Sequence, residues 1–198
     1  MSNSTNDVYS ASEDLKTQYC FRSNPYYGRT KVGINRDDKT YYAIEAGGEI
    51  ISPWFDELTL WPSFNVCKLK GVYFLTSASG KEIISDMYRK MWKFQAINGL
   101  GRYFAKVEGL NKKLGTLDSN GKVGIKCDQD VLERVGSAHA VCGKMFEDGM
   151  RYGMFAVNGE KTADYMFVKY AIVKGKVVFI KEDGEKYYYS KSGARLKC

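Results

Sequence analysis

The stretch Ala43-Ile44-Glu45-Ala46-Gly47-Gly48-Glu49-Ile50-Ile51 holds the pattern that decides the fold: an apolar run, a polar turn with glycine, and a second apolar run. Gly-Gly, Asn-Gly and Asp-Gly pairs adopt positive φ at little cost, and the tight turns they form match the twist of two antiparallel strands. The stretch therefore predicts a β-hairpin. The same pattern returns at residues 74–84, 117–123, 155–161 and 179–186.

The turn glycines of these five stretches are separated by 32, 41, 38 and 25 residues, at positions 48, 80, 121, 159 and 184. Self-similarity at a period of roughly 20–50 residues is typical of repeat architectures. Asn-Gly or Asp-Gly pairs stand at 98–99, 120–121, 148–149, 158–159 and 183–184. We predict an all-β protein of antiparallel β-hairpin repeats, forming a curved sheet, a solenoid or a propeller-like array, with room for one or two short helices.

The repeats predict a single β-repeat domain of about five units over residues 29–198. Residues 1–28 are predicted to form a flexible or weakly helical leader, because their first part is polar, and Ser12 to Tyr19 has the pattern of a short helix capped by Ser12. Residues 81–97 place apolar side chains at helical spacing, so an amphipathic helix and an irregular strand both stay open there. Residues 128–136 pose the same question. Residues 165–173 are predicted to form one strand.

Charge is unevenly distributed along the chain. The net charge is +7, with −3 in residues 1–60 and +10 in residues 61–198. A basic region of this kind attracts acidic protein surfaces, RNA or DNA, and it also occurs as a merely solvated surface. The five cysteines are odd in number, widely spaced and without a Cys-x-x-Cys pair, which argues against a disulfide framework and a zinc ribbon.

The same features predict where the protein works. The N-terminus is polar, unlike a signal peptide, and no apolar run approaches the roughly 20 residues needed to span a bilayer. Together with reduced thiols, this predicts a cytoplasmic protein with no membrane partner and no cofactor.

Laid side by side, the units resemble the WG (KWG) repeats found mainly in bacterial proteins. The opening basic–aromatic–glycine element is matched by Lys31-Val32-Gly33-Ile34, Lys113-Leu114-Gly115 and Arg151-Tyr152-Gly153. The turn and Pro-aromatic-Asp elements are fullest at Gly48-Glu49-Ile50-Ile51-Ser52-Pro53-Trp54-Phe55-Asp56. The tryptophan that names the family is replaced by Val32, Leu114 and Tyr152. The resemblance covers about residues 29–198 and implies an antiparallel β repeat, usually without a known enzymatic activity. It also implies that the cytoplasm is that of a bacterial or phage-infected bacterial cell.

Few residues have the spacing that catalysis or metal binding requires. His139 precedes Cys142 by three residues and follows Cys127 by twelve, but residues 139 and 142 of a strand point to opposite faces. No phosphate-binding glycine loop and no Gly-x-Ser-x-Gly motif is present. We therefore predict no enzymatic activity and no metal site.

A basic and aromatic segment is the better candidate for function. Residues 86–113 hold seven Lys/Arg and two acidic residues, with five aromatic residues interleaved. Such a mixture holds single-stranded nucleic acid, and Arg and aromatic side chains also anchor protein interfaces. A buried core with a solvated lysine face is the alternative. The predicted binding residues are Arg89, Lys90, Trp92, Lys93, Arg102, Tyr103, Lys106, Lys112 and Lys113.

Two functions follow as expectations. The first is a non-catalytic module that mediates protein–protein interaction. The second is an RNA- or ribonucleoprotein-binding protein, such as a phage or mobile-element inhibitor of a nucleic-acid enzyme. A further candidate surface lies at Lys186-Tyr187-Tyr188-Tyr189-Ser190-Lys191, where consecutive tyrosines must face both sides of a strand. At least one of them is therefore exposed or covered by another element or partner.

Overall fold

A computed structural model describes residues 19–97 and 102–197. This part of the chain contains nineteen strands, all paired antiparallel, and no helix. It accordingly has no helix long and apolar enough to cross a membrane. The predicted all-β class is confirmed. The predicted leader helix, apart from Tyr19, and the turn at 98–99 lie outside the described residues.

The chain divides into two compact units, Met1–Asp86 and Met87–Cys198, where the sequence predicts a single domain from residue 29. The first unit holds two sheets, each formed by strands in chain order. The first sheet comprises β1 (Phe21–Arg22), β2 (Thr30–Arg36), β3 (Lys39–Ala46) and β4 (Glu49–Ile50). The second comprises β5 (Glu57–Leu60), β6 (Phe64–Leu69) and β7 (Val72–Ser77). Strand β1 lies within the segment predicted as a leader and pairs with β2.

The second unit holds three sheets. In the third sheet, β10 (Tyr103–Glu108) lies between β11 (Leu114–Asp118) and the short strands β8 (Lys90–Met91) and β9 (Gln95–Ala96). The fourth comprises β12 (Val131–Val135), β13 (His139–Phe146), β14 (Gly149–Ala156) and β15 (Lys161–Phe167). The fifth comprises β16 (Lys169–Val173), β17 (Lys176–Ile180), β18 (Lys186–Ser190) and β19 (Arg195–Leu196).

The structure decides the segments that the sequence left open. Residues 81–97 form an irregular connection with β8 and β9, and residues 128–136 form a turn followed by β12, so the strand alternative is confirmed in both. The prediction of one strand over 165–173 is wrong. The strand is interrupted at Val168. The strands on either side of it, β15 and β16, belong to different sheets.

The recurring turn has the same geometry in four of the five sheets. The glycine lies in the left-handed region, and its N–H donates to the carbonyl three residues earlier, which is a type I turn followed by a left-handed residue. These bonds measure 2.9–3.1 Å at Gly80, Gly121, Gly159 and Gly193. In the first sheet both Gly47 and Gly48 have positive φ, as a two-residue type I′ turn requires.

The position of the turn within a sheet corrects the repeat register. Gly48, Gly80, Gly121 and Gly159 each follow the third strand of their sheet, with β8 and β9 counted together as the first strand of the third sheet. Gly184 lies one hairpin earlier, between β17 and β18. The structural counterpart in the fifth sheet is Gly193, which makes the last gap 34 residues instead of 25. The opening element shifts too: Lys31-Val32-Gly33 lies on β2, while the copies at Gly115 and Gly153 lie one strand later in their sheets, on β11 and β14.

In the first unit, a buried arginine joins the two sheets beside the apolar core. The core includes a cluster of Ile44, Phe55, Leu58, Cys67 and Phe74. The guanidinium of Arg29 donates to the side chain of Asn65 at 2.9 Å and to the carbonyls of Trp61 and Ala78 at 2.6 Å. Asn65 is fully buried and donates in turn to the Ser77 carbonyl at 2.6 Å. Neutral oxygens thus satisfy this buried cation, as burial of a charge requires.

In the second unit, the fourth sheet packs on both of its neighbours. One face contributes Leu132, Ala140 and Cys142 to a cluster with Ile125 and the partly buried Leu114. The other contributes Val135, Val141 and Met154 to a larger cluster with residues of β17 and β18. A hydrogen bond of 2.6 Å from the Thr116 hydroxyl to the Val157 carbonyl also links the third sheet to the segment after β14. The third, fourth and fifth sheets therefore pack face to face in chain order.

Candidate basic and aromatic site on the third sheet

Strand pairing brings part of the predicted site together on one face of the third sheet. Glu108 lies opposite Lys90 in the β10–β8 ladder, and the Trp92 N–H donates to the Lys106 carbonyl at 3.0 Å. Because side chains alternate along a strand, Lys90, Trp92, Lys106 and Glu108 project to the same face. We call these four residues the Trp92 cluster.

Trp92 is the exposed ring of this cluster, with 42% of its surface accessible. The Lys106 Nζ lies 5.1 Å from the ring centre, within the range of a cation–π interaction. The same Nζ donates to the Leu132 carbonyl of β12 at 2.9 Å, and burial lowers the pKa of Lys106. Two contacts therefore hold the ammonium group against the ring.

Carboxylates neutralise most of the cations that the sequence predicts as binding residues. Arg89 donates to Glu108, and the Lys90 Nζ lies 3.6 Å from the same carboxylate. The Arg89 hydrogen bond holds the pKa of Glu108 below its usual value. Because two cations share one buried carboxylate, Arg89, Lys90 and Glu108 together carry one net positive charge instead of two.

The remaining predicted residues lie apart from the Trp92 cluster or are also paired. Arg102 lies 3.4 Å from the buried Asp118, and Lys113 pairs with Asp130, whose pKa is lowered by that hydrogen bond. Tyr103 is half-buried. Lys93 and Lys112 are exposed, and neither has an ion pair within residues 19–97 and 102–197.

The aromatic residues of the segment are mainly core. Tyr88, Phe94 and Phe104 are each at most 4% exposed. Phe104 packs in a cluster with Ile97 and Val157. Of the five rings interleaved with the cations, Trp92 alone is exposed, so the segment does not present a row of rings on which successive bases could stack.

A second lysine repeats the arrangement of Lys106 in the first unit, and the sequence analysis missed it. The Lys31 Nζ lies 3.8 Å from the centre of the Tyr42 ring and donates to the Leu58 carbonyl of β5 at 2.7 Å. Lys31 lies on β2 and Lys106 on β10, so each lysine on a central strand reaches the first strand of the following sheet. The signal in the sequence is a lysine within a predicted strand, directly followed by valine, as in Lys31-Val32 and Lys106-Val107.

The histidine and cysteines do not assemble a nucleophile. His139 and Cys142 lie on opposite faces of β13, as their spacing predicts. Cys142 is fully buried, and burial raises the pKa of its thiol to about 12. Burial lowers the pKa of His139, whose Nδ1 has no hydrogen-bond partner among the described residues. Across the same residues, no three His, Cys, Asp or Glu side chains converge on a point that could hold a metal ion.

No protein-family model and no curated protein matches this chain. Among solved structures, it is similar to an uncharacterised protein from Listeria monocytogenes EGD-e, with 10% identity and a TM-score of 0.35. The match covers 88% of this chain and 63% of the other, so the chain spans less than two thirds of that protein.

Proposed function

We propose that the protein is a non-catalytic β-repeat protein that binds another protein through the Trp92 cluster. The observation that carries the proposal is an exposed tryptophan ring held in place by a half-buried lysine and surrounded by paired charges. Large rings fixed in one conformation lose little entropy on binding and are frequent anchors of protein interfaces.

The charges around Trp92 favour a protein over a nucleic acid as its ligand. A phosphate chain gains affinity by replacing the counterions of free cations. Arg89 and Lys90 already have Glu108 as an internal counterion. A phosphate would have to compete with that carboxylate. A protein surface with both polar and apolar groups could contact the Trp92 ring and leave the ion pairs intact.

Replacement of the ring tests the proposal. Trp92→Ala and a control, Tyr27→Ala, each remove one exposed aromatic side chain, and the Tyr27 ring is 71% exposed. Tagged protein would be cross-linked in the cells that produce it, captured with and without nuclease, and compared by mass spectrometry. We expect Trp92→Ala to lose a nuclease-resistant partner that Tyr27→Ala retains. If both variants retain the same partners, binding does not pass through Trp92.

RNA binding is the second candidate, and the unpaired Lys93 and Lys112 favour it. Its test is a charge reversal at these two lysines, because Glu in place of Arg89 would lie beside the buried Glu108 and would destabilise the sheet. If RNA is the ligand, wild-type affinity for a labelled oligoribonucleotide falls steeply between low and moderate salt, and Lys93→Glu/Lys112→Glu removes it. Absence of binding at low salt would exclude this candidate.

The resemblance to WG repeats is also part of this proposal. We regard the five sheets as divergent WG-like units, and the recurring turn supports this because its glycine follows the equivalent strand each time. The paired lysines Lys31 and Lys106 give further support, since both link one sheet to the next. A low-resolution envelope from solution scattering would distinguish an open array from a closed one.

A further inference from the structure

One face of the fifth sheet is open. Val177, Phe179 and Tyr189 point to the core between the fourth and fifth sheets and are at most 8% exposed. The residues between them point the other way and are partly or fully accessible. This opposite side, which we call the open face, consists of Lys169, Ala171, Val173, Lys176, Val178, Ile180, Lys186, Tyr188, Ser190 and Leu196.

Strand register arranges the open face in three rows across the sheet. The central row is apolar and crosses all four strands, because Ala171 lies opposite Val178, Val178 opposite Tyr188 and Tyr188 opposite Leu196. One flanking row reads Lys169, Ile180, Lys186, and the other reads Val173, Lys176, Ser190. An apolar stripe is thus bordered by lysines on both sides.

The open face is strongly basic. It carries no Asp or Glu, and none of its three lysines has an ion pair within the described residues. Residues 169–197 as a whole hold eight Lys/Arg and three acidic residues, a net charge of +5. Two of those acidic residues form ion pairs: Glu182 pairs with Arg151, and Glu185 pairs with Lys181.

The dimensions of the open face fit a single short segment. Four strands about 4.8 Å apart give the central row a length of about 14 Å, and rows two residues apart lie about 7 Å from each other. A row of 14 Å matches about ten residues of helix at 1.5 Å each. A groove of about 470 Å³ lined by Lys176, Lys186, Tyr188, Leu196 and Lys197 runs along one end of the stripe.

We infer that the open face binds an acidic amphipathic helix of a partner protein. The apolar stripe of the helix covers the row Ala171, Val178, Tyr188 and Leu196, and carboxylates on its two sides face the lysine rows. A second copy of this chain is disfavoured because two faces of the same sign repel each other. A nucleic acid is disfavoured because Tyr188 is the one ring of the face, and the other central residues are aliphatic and cannot stack on bases.

The test uses a fluorescently labelled helical peptide of about 16 residues with leucine along one face and glutamate on both flanks. A matched peptide has glutamine in place of every glutamate. Affinity is measured by anisotropy for the full chain, for Lys176→Glu/Lys186→Glu and for Lys81→Glu/Lys126→Glu. The last variant is the control, because it makes the same change of charge at exposed lysines outside the fifth sheet. Thermal melting confirms that all three proteins are folded.

We expect the glutamate peptide to bind the wild type in the micromolar range and the open-face variant about tenfold more weakly. The control variant should stay within about twofold, the glutamine peptide should bind weakly, and amide NMR signals of Val178 and Tyr188 should shift on binding. Absence of binding, or equal binding by both variants, overturns the inference. Tighter binding of a labelled oligothymidylate that Lys176→Glu/Lys186→Glu abolishes would overturn it in favour of nucleic acid. Trp92→Ala leaves the open face unchanged, so this test stands apart from that of the Trp92 cluster.

Discussion

Gly159→Ala should destabilise the second unit by more than the backbone cost of replacing a turn glycine. Gly159 has φ of 92°, a conformation that costs alanine about 1–2 kcal/mol. It also packs against the third sheet. A Cβ at this position would lie 2.4 Å from the carbonyl oxygen of Gly124, which is far inside van der Waals contact. The turn and the chain at Gly124 would therefore have to separate.

Separation has a further cost that the structure allows us to estimate. The Thr116 hydroxyl donates to the Val157 carbonyl at 2.6 Å beside the turn, and this buried bond would lengthen or break. Loss of one such hydrogen bond costs about 1 kcal/mol. The sum with the backbone term is about 2–3 kcal/mol of unfolding free energy, or roughly 4–12 °C in melting temperature for a chain of this size.

Two further variants separate the backbone cost from the packing cost. Gly184 has φ of 87° and no atom within 4 Å of a Cβ, so Gly184→Ala should cost only the backbone term of about 1–2 kcal/mol. Gly124 has no positive φ, but its Cβ would lie 2.0 Å from the Val157 carbonyl oxygen. Gly124→Ala therefore reports packing alone. Urea unfolding followed by circular dichroism measures all three. If Gly159→Ala and Gly184→Ala are equally stable, the recurring turn does not act in sheet packing.

Burial lowers the pKa of His139, so this imidazole binds a proton less readily in the folded protein than in the unfolded chain. The unfolding free energy should therefore be highest above pH 6.5 and should fall as pH drops toward 5. His139→Asn should make the unfolding free energy less dependent on pH in this range. Burial raises the pKa of Cys67 and Cys142 to about 12, so a thiol reagent should label exposed Cys20 at once and these two only at the rate of unfolding, which mass spectrometry can measure. Asn65→Leu removes the acceptor of one N–H of the buried Arg29 guanidinium and one donor from the carbonyls of Ser77 and Ala78, which keep their bonds from the Gly80 N–H and from Arg29. This loss should cost about 1–3 kcal/mol in urea unfolding.

The sequence predicts the hairpins well because turn chemistry is local. The glycines at 48, 80, 121 and 159 lie in the predicted turns. What it does not predict is which strand of a sheet a hairpin belongs to. Gly184 has the same local pattern as Gly159 and a different place in its sheet, because that place depends on the number of strands that precede it.

The binding site was harder to predict than the fold, for a related reason. Residues 86–113 contain seven cations and two acids, and this ratio indicates a basic surface. Asp118 and Asp130 lie outside the segment, yet register and packing bring them to Arg102 and Lys113. Glu108 lies inside the segment but serves two cations at once. Composition counts charges along the chain, whereas neutralisation depends on neighbours across strands.

The same argument explains the unpaired charge of the fifth sheet. Acids near the ends of strands neutralise cations of the third sheet, but the strands β16, β17, β18 and β19 contain no acid at all. Their register then assigns Lys169, Lys176 and Lys186 to one face and the buried rings to the other. A solvated surface would serve solubility with acids and bases mixed. A stripe of apolar residues between two rows that carry lysines is instead complementary to an acidic amphipathic segment.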